Sequence, residues 1–210
     1  MKEPPMKASE NEILRYGVRA LRSRHREIRK LKRLHQPSAH GRRVWDSTWL
    51  LVDFLNHREY RKGIHVMELG CGWGLAGIYF AKKYQAAVTG IDIDIEVFPY
   101  LQVHADLNEV QIHTKRIGFD QLIGTDFKDI DIIIGSDICF WNRMSDVLQK
   151  TLCTAMNGGV ENILIADPGR PPFHQLGEYF IKTAEGEILN WEVQYPYPIQ
   201  GRILKIGCRT

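Results

Sequence analysis

Residues 66–92 read VMELGCGWGLAGIYFAKKYQAAVTGID, and they predict the architecture of the whole chain. The apolar run at 66–69 is bounded by glycines, a pattern typical of a buried strand. Residues 75–82 carry apolar side chains at helical spacing, and 88–91 form a second short apolar run. The glycines between strand and helix permit a tight turn and a close approach of ligand to backbone. The segment therefore predicts strand, glycine turn, helix and strand, ending in Asp92.

The glycines follow an acid in the order Glu-Leu-Gly-x-Gly-x-Gly, from Glu68 through Gly70 and Gly72 to Gly74. This order resembles motif I of the class I S-adenosylmethionine (SAM) methyltransferases and differs from the G-x-G-x-x-G of dinucleotide-binding domains. Asp92, at the end of the next strand, can accept two hydrogen bonds from a ribose. The resemblance implies SAM as the cofactor and these five residues as its site. A nicotinamide-binding or other Rossmann domain is the alternative.

Further strand candidates alternate with helical segments along the rest of the chain: 111–118, 131–136, 162–166, 187–195 and 199–206. This alternation predicts a doubly wound α/β fold, the Rossmann-like seven-stranded class I methyltransferase sheet, mostly parallel with a C-terminal antiparallel hairpin. Ligands bind such sheets outside the carboxyl ends of the strands. Asp137 and Asp167 fall at those ends, as do Glu68, Gly70 and Asp92.

Length and composition limit the class of protein. A chain of 210 residues suits one α/β domain with an extension. It has no apolar run of about 18 residues and no apolar signal-peptide region, so we expect a cytoplasmic protein without a membrane span. The four cysteines form no C-x-x-C pair, and the histidines lack metal-ligand spacing, so no metal site is predicted. His104 is expected to be a satisfied interior or surface residue.

Positive charge is concentrated near the N-terminus. Eleven Lys and Arg lie between Arg15 and Arg43, with Glu27 as the only acid. Apolar residues at intervals of three, four or seven predict one basic amphipathic helix over 11–35. Pro37 ends it, and residues 36–41 are predicted to be a loop. We therefore divide the chain into an N-terminal extension at 1–43, disordered before residue 9, and a SAM-dependent methyltransferase domain at 44–210.

Three interpretations of this basic helix remain open. It can be a solvated helix that caps the core or lies beside the cleft. It can be an arm that recruits RNA or an acidic protein face. It can be a mitochondrial targeting peptide, although its acids count against that class.

Two other regions offer candidate cofactor contacts. Trp45 and Trp49 precede and enter a predicted helix, and one of them, with Trp49 as our choice, is placed against the SAM adenine or the substrate entrance. Core packing is the alternative for both. Phe119 and Asp120 follow the strand candidate at 111–118, where class I methyltransferases usually contact the adenine. Asp120 is our choice there, and a plain loop acid is the alternative.

Asp137-Ile138-Cys139-Phe140 follows the strand at 131–136. It lacks the prolines of the Asn/Asp-Pro-Pro-aromatic motif found in enzymes that methylate base amines. It resembles the Asp-x-x-Tyr/Phe signature of the seven-β-strand protein-lysine methyltransferases. The turn at 167–170, Asp-Pro-Gly-Arg, is most similar to the branch that contains the electron-transfer-flavoprotein β-subunit lysine methyltransferase and predicted nicotinamide N-methyltransferases. Phe140 in place of tyrosine and the long basic helix depart from that pattern.

The resemblance implies catalytic roles for Asp137 and Phe140. Asp137 would orient the acceptor amine, while Phe140, with Trp141 or Trp45, would line its channel. Alternatively, Asp137 caps the following helix or holds the SAM amino group, and Phe140 is ordinary packing. Arg170 either fixes Asp167, the reading we favour, or meets a substrate carboxylate.

The sequence thus predicts a SAM-dependent N-methyltransferase whose substrate is a protein lysine. Methylation of a small molecule is one alternative. Methylation of RNA held by the region from Arg15 to Arg43 is another. A SAM-binding partner protein without catalysis is the third.

Overall fold

The computed structural model describes residues 11–194 and 197–207 as nine strands and six α-helices. The strands are β1 (Glu12–Arg15), β2 (Val18–Leu21), β3 (His65–Leu69), β4 (Ala87–Asp92), β5 (His113–Arg116), β6 (Ile132–Ser136), β7 (Asn162–Asp167), β8 (Glu187–Val193) and β9 (Ile199–Ile206). The helices are α1 (Arg26–Leu34), α2 (Asp46–Asn56), α3 (Leu75–Tyr84), α4 (Phe98–Leu107), α5 (Asn142–Asn157) and α6 (Pro171–Thr183). Short 3₁₀ turns lie at Ala39–Gly41, Ile95–Val97 and Phe119–Leu122.

Seven strands form one sheet in the order β5-β4-β3-β6-β7-β9-β8. The pairs from β5 to β7 are parallel, whereas β9 pairs antiparallel with β7 and with β8. This topology confirms the predicted Rossmann-like sheet and its C-terminal antiparallel hairpin. β3 pairs with β4 on one side and with β6 on the other, so the strand order reverses there. A ligand crevice is expected at the carboxyl ends of these strands.

Both faces of the sheet are covered, as parallel sheets require. Successive residues of β3 show this, because Val66 packs in one buried cluster and Met67 in another. The first cluster includes Leu50 of α2 and Ile78 of α3. The second includes residues of α5 and α6 such as Leu148. The core therefore consists of two apolar layers with the sheet between them.

The prediction of one helix over 11–35 was wrong in its first half. The chain there forms the hairpin β1–β2, and the basic helix is limited to Arg26–Leu34. Tyr16 and Gly17 have φ values of 51° and 78°, which suit the central residues of a two-residue hairpin turn. Apolar residues spaced by three and four fitted a helix as well as these two short strands.

Side chains of α4 hold this hairpin. The amide of Leu21 donates to Nε2 of His104 over 3.1 Å, and Asn108 bonds both the N–H and the C=O of Arg19, at 2.8 and 2.7 Å. Burial lowers the pKa of His104 to about 4, so its imidazole is neutral and can accept. His104 is thus a satisfied interior residue. These partners lie more than 80 residues away along the chain, so local periodicity cannot reveal them.

Several sequence predictions fall on parts of the chain that are not described. The predicted disorder before residue 9, the last of the four cysteines at position 208 and the end of the strand candidate at position 195 lie outside the described residues. Within 11–194 and 197–207, no cluster of three metal-ligating side chains is found. No helix in those ranges has the length and apolarity needed to cross a bilayer. The proposed division at residue 43 stays a prediction.

Candidate active site

A cleft of about 740 Å³ opens at the carboxyl ends of β3, β4 and β6. Its size lies within the range of small-molecule sites. Its walls come from five segments, namely 38–48, 70–75, 92–97, 117–120 and 136–147. We call its two halves the cofactor end, around the glycine loop (70–74) and Asp92, and the acceptor end, around Asp137.

The glycine loop has a left-handed backbone at all three glycines, with φ of 61° at Gly70, 49° at Gly72 and 71° at Gly74. A Cβ at Gly70 would lie 2.6 Å from Ile138, and one at Gly74 would lie 2.6 Å from Leu101. A Cβ at Gly72 would meet no protein atom within 4 Å. The first and third glycines are therefore required by packing, while the second leaves open space for a ligand beside the backbone.

Asp92 is held in the cleft by the backbone. Its Oδ2 accepts from the amide of Gly72 and its Oδ1 from the amide of Asp94, each over 3.0 Å. Burial raises the pKa of Asp92, and these two hydrogen bonds oppose that effect. Each oxygen keeps further acceptor capacity, so the carboxylate can bind a pair of ribose hydroxyls.

Residues beyond Asp92 complete the cofactor end. Ile93, Val97, Ile117 and Phe119 line the cleft with apolar surface, and Asp120 lies beside them in the 3₁₀ turn Phe119–Leu122. A carboxylate for a ribose, apolar walls for a purine and an open glycine backbone are the groups that SAM requires. The residues present therefore fit SAM, and Asp92, Asp120 and the glycine loop would hold it.

Two predicted cofactor residues do not line the cleft. Glu68 is 3% exposed, and its Oε2 accepts from the amide of Gly77 in α3 over 3.0 Å. Burial raises the pKa of Glu68 to about 8. Trp49 is 2% exposed and packs in the core, with the Arg15 guanidinium 5.4 Å from its ring. Glu68 thus supports the start of α3, the helix that follows the glycine loop, and Trp45, rather than Trp49, lines the cleft.

At the acceptor end, Asp137 is paired with a cation. One guanidinium nitrogen of Arg170 lies 2.7 Å from Oδ1 of Asp137, and another lies 2.7 Å from Oδ2 of Asp167. Both carboxylates are buried, and Asp137 has a left-handed φ of 56°. No side chain caps α5, so Asp137 does not serve as its cap. Among the described residues, Oδ2 of Asp137 makes no hydrogen bond, which leaves it available to a ligand.

Arg170 has a double role that the sequence did not disclose. Asp167 accepts from the amides of Gly169 and Arg170, each over 2.8 Å, so the predicted structural role of Arg170 is present. The additional contact with Asp137 joins two strand ends. Burial disfavours a charged Arg170, but hydrogen bonds and charge interactions with the two carboxylates outweigh it and raise the pKa of Arg170.

Four ring side chains surround the entrance to the acceptor end, and we call them the aromatic mouth: His40, Trp45, Phe140 and Trp141. The rings of His40 and Phe140 have centroids 3.9 Å apart, and those of Trp45 and Phe140 are 6.1 Å apart. Trp141 is 49% exposed, and its ring lies 5.8 Å from that of Phe140. The guanidinium of Arg170 lies 4.6 Å from the Phe140 ring, which joins the mouth to the buried ion pair.

The sequence pattern does not identify His40, because residues 36–41 carry only the signals of a loop. Long-range hydrogen bonds place this segment over the cleft. Ser38 donates its amide to Oδ2 of Asp94 over 2.6 Å, and Nε1 of Trp73 donates to the carbonyl of Gly41 over 2.9 Å. No local sequence signal marks these pairings.

Comparison with known proteins agrees with this geometry. A model of the lysine methyltransferase family matches residues 27–187. The electron transfer flavoprotein beta subunit lysine methyltransferase of Danio rerio is 29% identical over 119 residues, which are 57% of this chain and 45% of that protein. The calmodulin-lysine N-methyltransferase of Arabidopsis thaliana is 28% identical over 120 residues, 51% of this chain and 38% of that one. The matched region thus spans about half or less of these relatives.

Solved structures support the fold. The Thermus thermophilus 16S rRNA N2 G1207 methyltransferase, in complex with AdoMet and guanosine, has a TM-score of 0.64 at 18% identity, covering 94% of this chain and 50% of that one. At that identity the likeness concerns the fold alone. Together with the family match, it confirms the predicted class, the SAM-dependent methyltransferases, and SAM as the cofactor of that class.

Proposed function

Because the chain belongs to the lysine methyltransferase family, we propose that it transfers the methyl group of SAM to the side-chain amine of a protein lysine. The observation that carries this proposal is the acceptor end, where an aromatic mouth leads to a carboxylate already paired with arginine. A long, unbranched side chain with a terminal amine suits that passage. The relatives whose names specify a lysine acceptor act on proteins, which supports the same substrate class.

The chemistry requires a neutral amine. When bound, SAM supplies an electrophilic methyl group, and the acceptor nitrogen must offer its lone pair to it. A free lysine has a pKa of about 10.4, so neutralising it at pH 7 costs about 4–5 kcal/mol. A poorly hydrated passage lowers that pKa, because burial disfavours the ammonium form. The apolar rings of the aromatic mouth provide such surroundings.

Arg170 resolves a conflict in the role of Asp137. A free carboxylate would stabilise the ammonium form and so hinder the reaction. Because Arg170 pairs with Oδ1 of Asp137 as well as with Asp167, part of that negative charge is compensated. The unbonded Oδ2 can still accept a hydrogen bond from a neutral amine and aim its lone pair. In this proposal Asp137 orients the amine, and Arg170 limits the rise in its pKa.

The rings serve the other stages of the reaction. Phe140 and Trp45 can enclose the aliphatic part of a lysine and so fix its approach. The methylated product is a cation at physiological pH, and ring faces attract such cations with about 0.5–2 kcal/mol. Alignment is the main contribution expected from the protein, since holding two reactants in position can lower the activation barrier by about 7–11 kcal/mol.

The direct test is transfer of labelled methyl from SAM into fractionated cell extract, followed by hydrolysis and amino-acid analysis. We expect label in a protease-sensitive band that yields methylated lysine, and no label with Asp92→Ala. Label confined to RNA or to low-mass material would overturn the proposal in favour of those substrates. SAM binding without transfer to any fraction would instead indicate a non-catalytic SAM-binding protein.

A further inference from the structure

We propose that the exposed basic face of α1 is a docking site for an acidic segment of the protein substrate, next to the lysine that enters the cleft. This inference rests on the proposed function and names the surroundings of the target lysine. The site is a second cavity of about 380 Å³, which we call the basic groove, and its lining is Asn11, Arg24, Arg26, Arg29, Lys30 and Arg33.

The helix that carries the groove is fixed to the body of the protein. Ile28 of α1 is fully buried and Leu31 packs beside it, in a cluster with Trp73 and Tyr100. Nδ1 of His25 accepts from the amide of Glu27 over 3.2 Å and caps the helix. One face of α1 is therefore anchored to the body of the protein, and the cations project from the opposite side as exposed residues.

The cations of the groove are largely uncompensated. Of its five charged residues, only Arg26 forms an ion pair among the described parts of the chain, with Glu27 at 3.2 Å. Elsewhere the charge is reversed. Eleven of the chain's 28 Lys and Arg lie at 15–43 against one of its 25 acids, so the remainder has seven more acids than bases. An acidic partner would be repelled by most of the body and attracted to this face.

The groove is close to the aromatic mouth. Ser38, which lines the cleft, lies only five positions after Arg33, which lines the groove. At about 3.5 Å per residue, their Cα atoms are at most about 18 Å apart. The connection is held by the body, because Tyr100 donates its hydroxyl to the carbonyl of His35 over 3.0 Å. A protein that inserts a lysine into the cleft therefore lies within reach of α1.

An acidic peptide fits the groove better than the other candidate occupants. None of the six lining residues carries an aromatic ring on which a nucleic-acid base could stack, as single-strand binding sites usually provide. The chain's own first ten residues contain two Lys and two Glu, so they offer no net negative charge. Carboxylates of a substrate segment meet the guanidinium groups with matching geometry.

The test measures binding separately from turnover. A fluorescent twelve-residue peptide of alternating Glu and Gly with one central Lys is titrated with the full chain at saturating S-adenosylhomocysteine, which cannot donate a methyl group, and its methylation is then followed with SAM. Arg29→Glu with Lys30→Glu reverses two groove charges. The control, Lys62→Glu with Lys182→Glu, makes the same change of net charge at exposed sites outside the groove. We expect the groove variant to weaken peptide binding at least tenfold, to raise KM by a similar factor and to leave kcat within threefold.

Three results would overturn this site. One is equal weakening in the groove and control variants, which would show only overall charge attraction. Another is that a twelve-nucleotide single-stranded RNA binds more tightly than the peptide and that this RNA binding is lost in the groove variant. The third is unchanged peptide binding in the groove variant, which would place the peptide on another surface. Failure of the proposed function would differ from all three, since the wild-type chain would then form methylated lysine in no protein.

Discussion

The two ends of the cleft are built in different ways. At the cofactor end, a short local segment and one acid on the adjacent strand provide the main contacts, through backbone amides and glycine conformation. At the acceptor end, side chains from distant parts of the chain meet, with His40 against Phe140 and Arg170 on Asp137. The cofactor end suits a ligand that is the same in every reaction, whereas single side-chain substitutions at the acceptor end can change the substrate.

The largest effect is expected at the cofactor end. Asp92→Ala removes the carboxylate that would bind the ribose and also frees the amides of Gly72 and Asp94. Loss of charged hydrogen bonds at about 1.5–3 kcal/mol each predicts SAM binding weakened about a hundredfold or more. Isothermal titration with SAM measures this. Asp120→Ala, at the edge of the same site, should weaken SAM binding far less. Equal losses of SAM affinity in the two variants would contradict the greater importance of Asp92.

Substitutions of Arg170 test whether Asp137 needs its ion pair in order to act at the acceptor end. In Arg170→Gln, Asp137 loses its cation and should hold the substrate amine as ammonium, so the alkaline rise of kcat should move about 1–3 pH units higher. Arg170→Lys should restore most of the wild-type profile. Arg143→Gln removes an exposed charge from the same cleft without contacting Asp137, and it should leave the profile in place. If Arg170→Gln instead lowers kcat by the same factor at every pH, Arg170 has only a structural role.

Glu68, which accepts a hydrogen bond from the start of α3, provides a test based on stability. Its folded pKa of about 8 exceeds the ordinary value of 4.5, so the folded protein retains a proton that the unfolded chain releases between those values. Stability should therefore fall as the pH rises from about 4.5 to 8. Glu68→Gln keeps an acceptor for Gly77 and removes this titration. Thermal unfolding should show the variant more stable than wild type at pH 9, by a few kcal/mol, and similar to it at pH 5. If the stability of the variant and that of wild type differ by the same amount at every pH, the pKa of Glu68 is not raised.

The smallest effect is expected for Trp49. Because this ring is buried away from the cleft, Trp49→Phe should change SAM affinity less than twofold while lowering the stability by about 1–2 kcal/mol. The matched variant Trp45→Phe alters the aromatic mouth and should raise KM for the protein substrate. A marked loss of SAM affinity in Trp49→Phe would return Trp49 to the cofactor site.

The sequence predicted what local patterns encode. The glycine order at 70–74 and the apolar runs before Asp92 and Asp137 determine the sheet and the cofactor end, because strand periodicity and turn glycines act over a few residues. The β1–β2 hairpin was missed, since it depends on His104 and Asn108 far along the chain. The partner of Asp137 and the position of His40 were missed for the same reason. Contacts between distant side chains leave no spacing that a single sequence reveals.

The claim that the cleft has separate cofactor and acceptor ends is tested most directly with Asp137→Ala. SAM affinity and methyl transfer to protein are measured on the same preparation. Asp167 still pairs with Arg170 in this variant, so no buried cation is left alone. The account predicts SAM affinity within about threefold of wild type and methyl transfer reduced at least a hundredfold. A parallel fall of SAM affinity and activity would make Asp137 a cofactor ligand and contradict the account.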